Sequence, residues 1–176
     1  NRIVKEDFRK NNIGMIMLTA EMFNNKENIQ NVLDLKIPIF KFGKENLKAV
    51  KRTVIILNDT NSYEQISPIV FDISSQLKIK TKIFDLDPVG DKEGKTNLLD
   101  HFENLAKIFN EKIEVVTSGQ NPIRELKKQK DMLQLLPLKE KMFKKRFFFK
   151  FLYTNSDFIA FDLNKYNQLL IPIVEE

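Results

Sequence analysis

Small polar residues and carboxylates follow three predicted strands of this 176-residue chain. Asp59 comes just after the apolar run 53–57, and Asp85 and Asp87 end the next predicted strand with both side chains on one side of it. Open α/β sheets bind their ligands at the carboxyl ends of their strands. The sequence therefore predicts a small-molecule site, with these candidate residues: Asp59, Thr60, Ser62, Asp85, Asp87, Ser118 and Gly119.

Each carboxylate in this set also has a purely structural interpretation. Asp59 precedes a predicted helix, where an Asp satisfies free backbone amides as an N-cap. Asp85 and Asp87 can form a solvated strand end, or they can hold a cation or a ribose. Acid–base chemistry would need a cleft and a perturbed pKa, which a sequence does not show.

The motifs that would indicate an enzyme are incomplete. A phosphate-binding loop needs four residues between its first Gly and Gly-Lys-Thr, but only three separate Gly90 from Gly94. This pattern predicts a flexible loop. His101 is the only histidine and the chain has no cysteine, so we expect a helix-surface histidine, no metal site and no nucleophilic triad. We expect a protein that is not an enzyme.

The segment 139–150 mixes lysines with phenylalanines. Its phenylalanines can be core residues with the lysines as their solvated face. They can also anchor a protein partner, an anionic membrane surface or single-stranded nucleic acid. The candidate patch for a partner or a membrane comprises Lys141, Phe143, Lys144, Lys145, Arg146 and Phe147.

The composition is that of a globular domain rather than a nucleic-acid binder or a membrane span. Hydrophobic residues make up 42% of the chain, enough to build a core without disulfides. The net charge of +5 is mild, and most basic residues are mixed with acids along the sequence, so we expect no nucleic-acid partner. The chain begins at Asn1 with a charged lead-in, which predicts a segment from inside a longer protein.

Short apolar runs alternate with segments of helical period, the pattern of a parallel sheet with crossover helices. We predict a Rossmann-like α/β fold with a mainly parallel five-stranded sheet, preceded by an extra βαβ unit at 13–42 with its helix at about 20–35. This unit either packs beside the sheet or is swapped with a second chain. The predicted strands of the sheet are 53–57, 80–86, 112–117, 132–136 and 169–174, and its helices are 63–77, 97–110 and 121–130, with a loop at 89–96.

A short repeated sequence motif suggests two similar units in tandem. Ile37-Pro38-Ile39 and Ile171-Pro172-Ile173 share an apolar-Pro-apolar core, and proline in a sheet favours edge strands. We therefore expect both runs to be edge strands that could pair across a two-fold axis, giving a homodimer. The predicted boundaries are 1–43 for the end of a preceding unit, 44–52 for a linker and 53–176 for the main domain.

From Arg52 to Glu176 the chain resembles the universal stress protein family, a parallel α/β fold. The resemblance is carried by the first strand with its acidic turn, 54–62, the turn 118–123 and the closing strand 170–174. It implies that Asp59 would accept hydrogen bonds from adenine or ribose. The glycine-rich triphosphate loop of ATP-binding members is missing, because no Gly follows Gly119. We expect no resident cofactor, with an adenine nucleotide as the possible ligand.

The same resemblance implies two functions. Domains of this kind occur as cytosolic tails of bacterial cation transporters, so we expect a cytoplasmic regulatory or sensory domain of a cation/proton antiporter or a potassium-uptake protein. Its partner would then be the transmembrane part of its own transporter, at the inner membrane. The alternative is a stand-alone nucleotide-binding universal stress protein.

Overall fold

The computed structural model describes residues 14–44, 47, 50–57, 60–85, 92–110, 113–116, 122–138 and 165–173. A 3₁₀ helix covers Ala20–Asn24, and the α-helices are α1 (Lys26–Leu35), α2 (Thr60–Leu77), α3 (Lys92–Ile108) and α4 (Pro122–Lys128). The strands are β1 (Ile16–Thr19), β2 (Ile39–Phe42), β3 (Arg52–Leu57), β4 (Lys80–Asp85), β5 (Ile113–Val116), β6 (Met132–Leu138) and β7 (Asn167–Pro172).

All of these strands belong to one sheet of seven, in the order β1-β2-β7-β6-β3-β4-β5. Strands β3 to β7 run parallel to one another, which confirms the predicted five-stranded parallel α/β sheet. The preceding βαβ unit joins the same sheet, because β2 pairs with β7 in the antiparallel direction. The βαβ unit is thus docked on its own chain.

The two apolar-Pro-apolar runs are inner strands, so the prediction that they are edge strands is wrong. Pro38 lies just before β2, and its carbonyl accepts a hydrogen bond from the Ile16 amide at 3.0 Å. Pro172 is the last residue of β7. At a strand end the missing N–H of proline removes little from the ladder. The outer strands of this sheet are β1 and β5.

The first helical segment is divided in two. A helix was predicted from about residue 20 to 35, but the 3₁₀ turn ends and α1 begins at Lys26. Asn25 causes the division, because its side-chain oxygen accepts hydrogen bonds from the amides of Glu27 at 2.8 Å and Asn28 at 3.4 Å. These bonds satisfy amides that have no partner within the helix.

The predicted loop at 89–96 is wrong over its second half, since α3 begins at Lys92. Gly94, Lys95 and Thr96 lie in its first turns, so the Gly-Lys-Thr sequence is helical. A helix tolerates one Gly at a cost of about 1 kcal/mol, and the packing of Phe102 and Ala106 against α2 outweighs that cost.

Helices cover both faces of the sheet. On one face α2 and α3 bury Ile66, Val70, Phe71 and Phe102 against β3, β4 and β6. On the other face α1 and α4 pack through Ile29, Val32 and Leu126. None of the described helices is long and apolar enough to cross a membrane.

Candidate functional site

The strand order reverses at β3. The chain passes from β3 through α2 to β4 and through α3 to β5, and then returns through α4 to β6 on the other side of β3. The outward helices lie on one face of the sheet, and α4 lies on the opposite face. In open α/β sheets such a reversal leaves a crevice at the carboxyl ends of the two strands, where ligands bind.

The backbone pairing shows where β3 and β6 stop being hydrogen-bonded to each other. β3 and β6 pair from Arg52↔Met132 only as far as Ile55↔Leu135. Beyond that point β3 continues beside β4 to Leu57↔Asp85, whereas β6 continues beside β7. The hydrogen-bonded ladder between β3 and β6 therefore ends before either strand does, at the reversal of strand order.

Pro137 lies in the part of β6 that has left β3. The strand was predicted to end before this proline, but it runs through it to Leu138, where it pairs with Pro172 of β7. A proline cannot donate to a neighbouring strand, so an inner strand accepts one where pairing on one side has ended. Pro137 thus lies where β6 pairs with β7 alone, within a fully buried strand.

Helix N-termini gather at the same edge. α2 begins at Thr60, three residues after the end of β3, and α4 begins at Pro122. The amides of a first helical turn have no partner within the helix and carry a partial positive charge. Together with the reversal of strand order at β3, these amides make the carboxyl edge suited to a ligand with acceptor oxygens.

Comparison with known proteins addresses the fold. No family model and no curated protein matches the sequence. A universal stress protein from Archaeoglobus fulgidus superposes with a TM-score of 0.62 at 11% identity, covering 93% of this chain. A proposed universal stress protein from Pseudomonas aeruginosa gives a TM-score of 0.60 at 9% identity, covering 98% of this chain. The chain has the universal stress protein fold.

The universal stress protein fold is shared here without sequence similarity. A third structure, a Pseudomonas aeruginosa protein described as functionally unknown, gives a TM-score of 0.59 at 8% identity, covering 98% of this chain and 69% of its own. The chain spans 62% of the length of the archaeal protein and 69% of the first Pseudomonas protein. At these identities the likeness establishes the fold alone.

The structure fixes the backbone of only some predicted ligand residues. Thr60 and Ser62 lie in the first turn of α2, and Asp85 ends β4 in register with Leu57. These positions share the carboxyl edge of the sheet. Outside the described residues lie Asp59, Asp87, Ser118, Gly119 and the patch Lys141, Phe143, Lys144, Lys145, Arg146 and Phe147.

Asp59 directly precedes the first residue of α2 in the sequence. Both interpretations of this residue, an N-cap and a ligand acceptor, therefore stay open. The two interpretations predict different effects of Asp59→Asn. Asn also caps a helix, so a cap would be kept, but Asn has no charge, so an ionic contact with a ligand would be lost.

His101 joins two helices of the universal stress protein fold and does not simply face solvent. It is half-buried on α3, and its Nε2 lies 2.9 Å from the hydroxyl of Ser67 on α2. No group of His, Cys, Asp and Glu residues that could hold a metal ion occurs among the described residues. Ser67 is fully buried, so this contact ties α2 to α3 on one face of the sheet.

Sequence reasoning missed a cluster of buried hydroxyls near the opposite, amino edge of the sheet. Thr53 Oγ1 lies 2.6 Å from Ser74 Oγ and 3.1 Å from Thr81 Oγ1, and Thr81 donates to Ser74 at 3.0 Å. All three side chains are fully buried. The cluster fixes the second half of α2 on β3 and β4. The Thr at the start of an otherwise apolar run, 53–57, is the one signal for it in the sequence.

A polar row inside the sheet was also missed. Lys41, Gln168 and Gln134 lie side by side on β2, β7 and β6. Lys41 Nζ donates to Gln168 Oε1 at 2.9 Å, and Gln168 Nε2 donates to Gln134 Oε1 at 2.6 Å. All three are buried, and Gln134 Nε2 has no hydrogen-bond partner among the described residues.

Proposed function

We propose that the chain is a ligand-binding regulatory domain rather than an enzyme. The observation that carries the proposal is the reversal of strand order at β3, where the ladder between β3 and β6 ends at Ile55↔Leu135 and an open α/β sheet has its crevice. This crevice is the position at which open α/β sheets bind small molecules. It is bordered by the N-terminus of α2, which favours an anionic or oxygen-rich ligand.

The ligand we propose is an adenine nucleotide or a smaller adenosine compound. The fold supports this class, and Asp59 and Asp85 supply carboxylates at or next to the carboxyl ends of β3 and β4. No glycine follows Gly119, so backbone amides cannot approach a triphosphate as closely as a glycine-rich loop permits. We therefore expect recognition of the nucleoside part to dominate.

The cellular role we propose is regulation of a larger cation-transport protein of the antiporter or potassium-uptake type. In that role the domain lies in the cytoplasm and contacts the transmembrane part of its own transporter. What supports it is the universal stress protein fold, together with the resemblance of the sequence to such regulatory tails. The alternative is a nucleotide-binding universal stress protein that acts alone. The fold supports this role equally, since 93% to 98% of this chain superposes on universal stress proteins.

Ligand binding is tested by calorimetric titration with ATP, AMP, adenosine and cyclic dinucleotides, using the wild-type chain and two variants. Asp59→Asn keeps an N-cap but removes the charge, whereas Asp59→Ala removes both. If Asp59 binds ligand, both variants lose affinity by about tenfold or more, since a hydrogen bond to a charged group is worth about 1.5–3 kcal/mol. If Asp59 is only a cap, ligand affinity is unchanged and Asp59→Ala alone loses about 1 kcal/mol of stability.

Cell fractionation separates the two cellular roles. An antibody against this domain would detect the intact natural protein in the membrane fraction after a high-salt wash, which releases proteins held only by charge, if the domain is part of a transporter. Recovery of the intact protein entirely in the soluble fraction would reject the transporter role and favour the stand-alone protein.

A further inference from the structure

Basic residues that are scattered along the sequence collect at one edge of the folded sheet. The parallel strands β3 and β4 begin at Arg52 and Lys80, and Lys130 and Lys165 lie just before β6 and β7. Because parallel strands begin at the same edge, these residues share the amino edge of the sheet. The basic edge comprises Lys44, Lys51, Arg52, Lys78, Lys80, Lys107, Lys127, Lys128, Lys130 and Lys165.

The helices add to the same edge. Each of α2, α3 and α4 runs back from the carboxyl end of one strand to the start of the next, so its last turn lies at the amino edge. Lys107 is in the last turn of α3, and Lys127 and Lys128 are in the last turn of α4. Basic residues favour helix C-termini on dipole grounds, which accounts for these three. It does not account for the lysines at the strand starts.

Most of this charge faces solvent. Arg52 and Lys165 are half-buried, and both donate hydrogen bonds to Gln129. Arg52 donates to its side-chain oxygen at 3.1 Å, and Lys165 donates to its backbone carbonyl at 3.1 Å. The remaining lysines of the basic edge are exposed. Lys51 contacts Asp131 at 3.2 Å, yet its side chain stays 70% exposed.

A cleft of about 410 Å³ opens within the basic edge, between the last turns of α2 and α3 and the start of β4. Lys78 and Lys80 line it together with Ser75, Phe109 and Asn110. Two ammonium groups, a hydroxyl and an amide are groups that bind a phosphate or a carboxylate. The cleft is local, since only these three elements line it.

We propose that the basic edge binds anionic lipid headgroups at a membrane surface. Clusters of about four to eight exposed Lys or Arg residues bind anionic bilayers. Neighbouring strands lie about 4.8 Å apart, so the strand starts from β4 to β7 and the end of β2 spread the charge across about 19 Å. Single-stranded nucleic acid is bound by a series of exposed aromatic rings, whereas among the described residues of this edge Phe42 is exposed, Phe109 is half-buried and Tyr166 is fully buried.

This orientation places the ligand crevice away from the membrane. β3 has six residues, so the carboxyl edge lies about 20 Å from the amino edge at the usual rise per residue. That separation is about twice the Debye length in 0.1 M salt, which is about 10 Å. Basic residues at the carboxyl edge therefore contribute little to attraction by the bilayer.

Vesicle co-sedimentation of the full chain tests the proposal with two variants of equal net charge. The first is Lys80→Gln, Lys127→Gln and Lys130→Gln at the basic edge. The matched control is Lys36→Gln, Lys92→Gln and Lys95→Gln, which changes the start of β2 and the first turn of α3 at the opposite edge. Circular dichroism and thermal unfolding of both variants show whether they fold as the wild type does.

The wild type is expected to bind phosphatidylcholine vesicles only when phosphatidylserine is present, and less tightly as salt rises. The basic-edge variant should bind about a hundredfold more weakly, at roughly fivefold per lysine, and the control less than about threefold. Equal losses in both variants would reject a directed surface. Tighter binding to a single-stranded oligonucleotide than to vesicles, at the same salt, would overturn the membrane assignment. If a triple variant fails to fold, the single Lys80→Gln and Lys36→Gln variants replace the triples, with the fivefold loss expected of Lys80→Gln alone.

Discussion

Gly43 lies directly against the backbone of Tyr166. A side-chain carbon on Gly43 would overlap the carbonyl carbon and oxygen of Tyr166. In the native chain the Gly43 amide instead donates to Asn167 Oδ1 at 3.1 Å, and the Lys44 amide donates to the Lys165 carbonyl at 2.9 Å. The end of β2 is therefore fitted to the start of β7 by close backbone contact.

Gly43→Ala should destabilise the fold because the added methyl group meets backbone that cannot rotate away. We expect a loss of about 1–3 kcal/mol in the free energy of unfolding, measured in urea. Gly14→Ala is the matched control, since nothing lies within 4 Å of the position of its added carbon. A Gly43→Ala variant as stable as Gly14→Ala would contradict the close fit of β2 on β7.

Thr53→Val should leave the hydroxyls of Ser74 and Thr81 buried with one partner fewer. The expected loss is about 1–3 kcal/mol, also from urea unfolding. Ser74→Ala should cost a similar amount, and the double variant should cost clearly less than the sum of the two single variants. Additive losses would mean that the three hydroxyls do not act as one hydrogen-bonded cluster.

Gln168→Leu should be the most damaging single change in the polar row. It removes the acceptor at 2.9 Å from the buried Lys41 ammonium and the donor to Gln134 at once. We expect a loss of about 1–3 kcal/mol, and more if the ammonium finds no other acceptor. The measurement is the midpoint and slope of urea unfolding.

Replacing the whole row provides the comparison. A variant with Lys41→Met, Gln134→Leu and Gln168→Leu removes the three side chains of the row together, so none of them is left beside a lost neighbour. Such replacements are often neutral or stabilising by about 1–4 kcal/mol. A triple variant less stable than Gln168→Leu alone would show that the row contributes net stability.

Tyr166→Phe should loosen the end of α4. The buried hydroxyl of Tyr166 lies 2.9 Å from the Leu126 carbonyl, 3.0 Å from that of Lys127 and 3.1 Å from that of Gln129. It has one proton and donates to one of these carbonyls at a time. We expect a loss of about 1 kcal/mol and faster amide hydrogen exchange in α4. Unchanged exchange there, with α2 and α3 as the internal reference, would contradict this role.

The sequence predicted the fold class well because apolar periodicity depends on local burial. The runs 53–57 and 132–136 and the helix around Phe102 all follow from that pattern. The positions of Pro38 and Pro172 could not be predicted, because proline disfavours a ladder only where its missing N–H would be needed. That depends on which residue begins or ends the strand.

The candidate site was predicted only in part. Placing it at the carboxyl ends of β3 and β4 follows from parallel topology. The point at which the ladder between β3 and β6 ends depends on the register of residues more than seventy positions apart, such as Ile55 and Leu135. The basic edge was missed for the same reason, since its lysines are far apart in the sequence and come together only when the strands align, with Asp131 and Glu125 paired to Lys51 and Lys128.

The pairing of β2 with β7 limits how two copies of this chain can assemble. β7 has a neighbour on each side, β2 and β6, so its backbone offers no free ladder to a strand from another molecule. Among the described strands, a homodimer formed by extending this sheet can use only β1 or β5. Its two-fold axis would then lie at an outer margin, far from the proline-flanked pair that first suggested self-association.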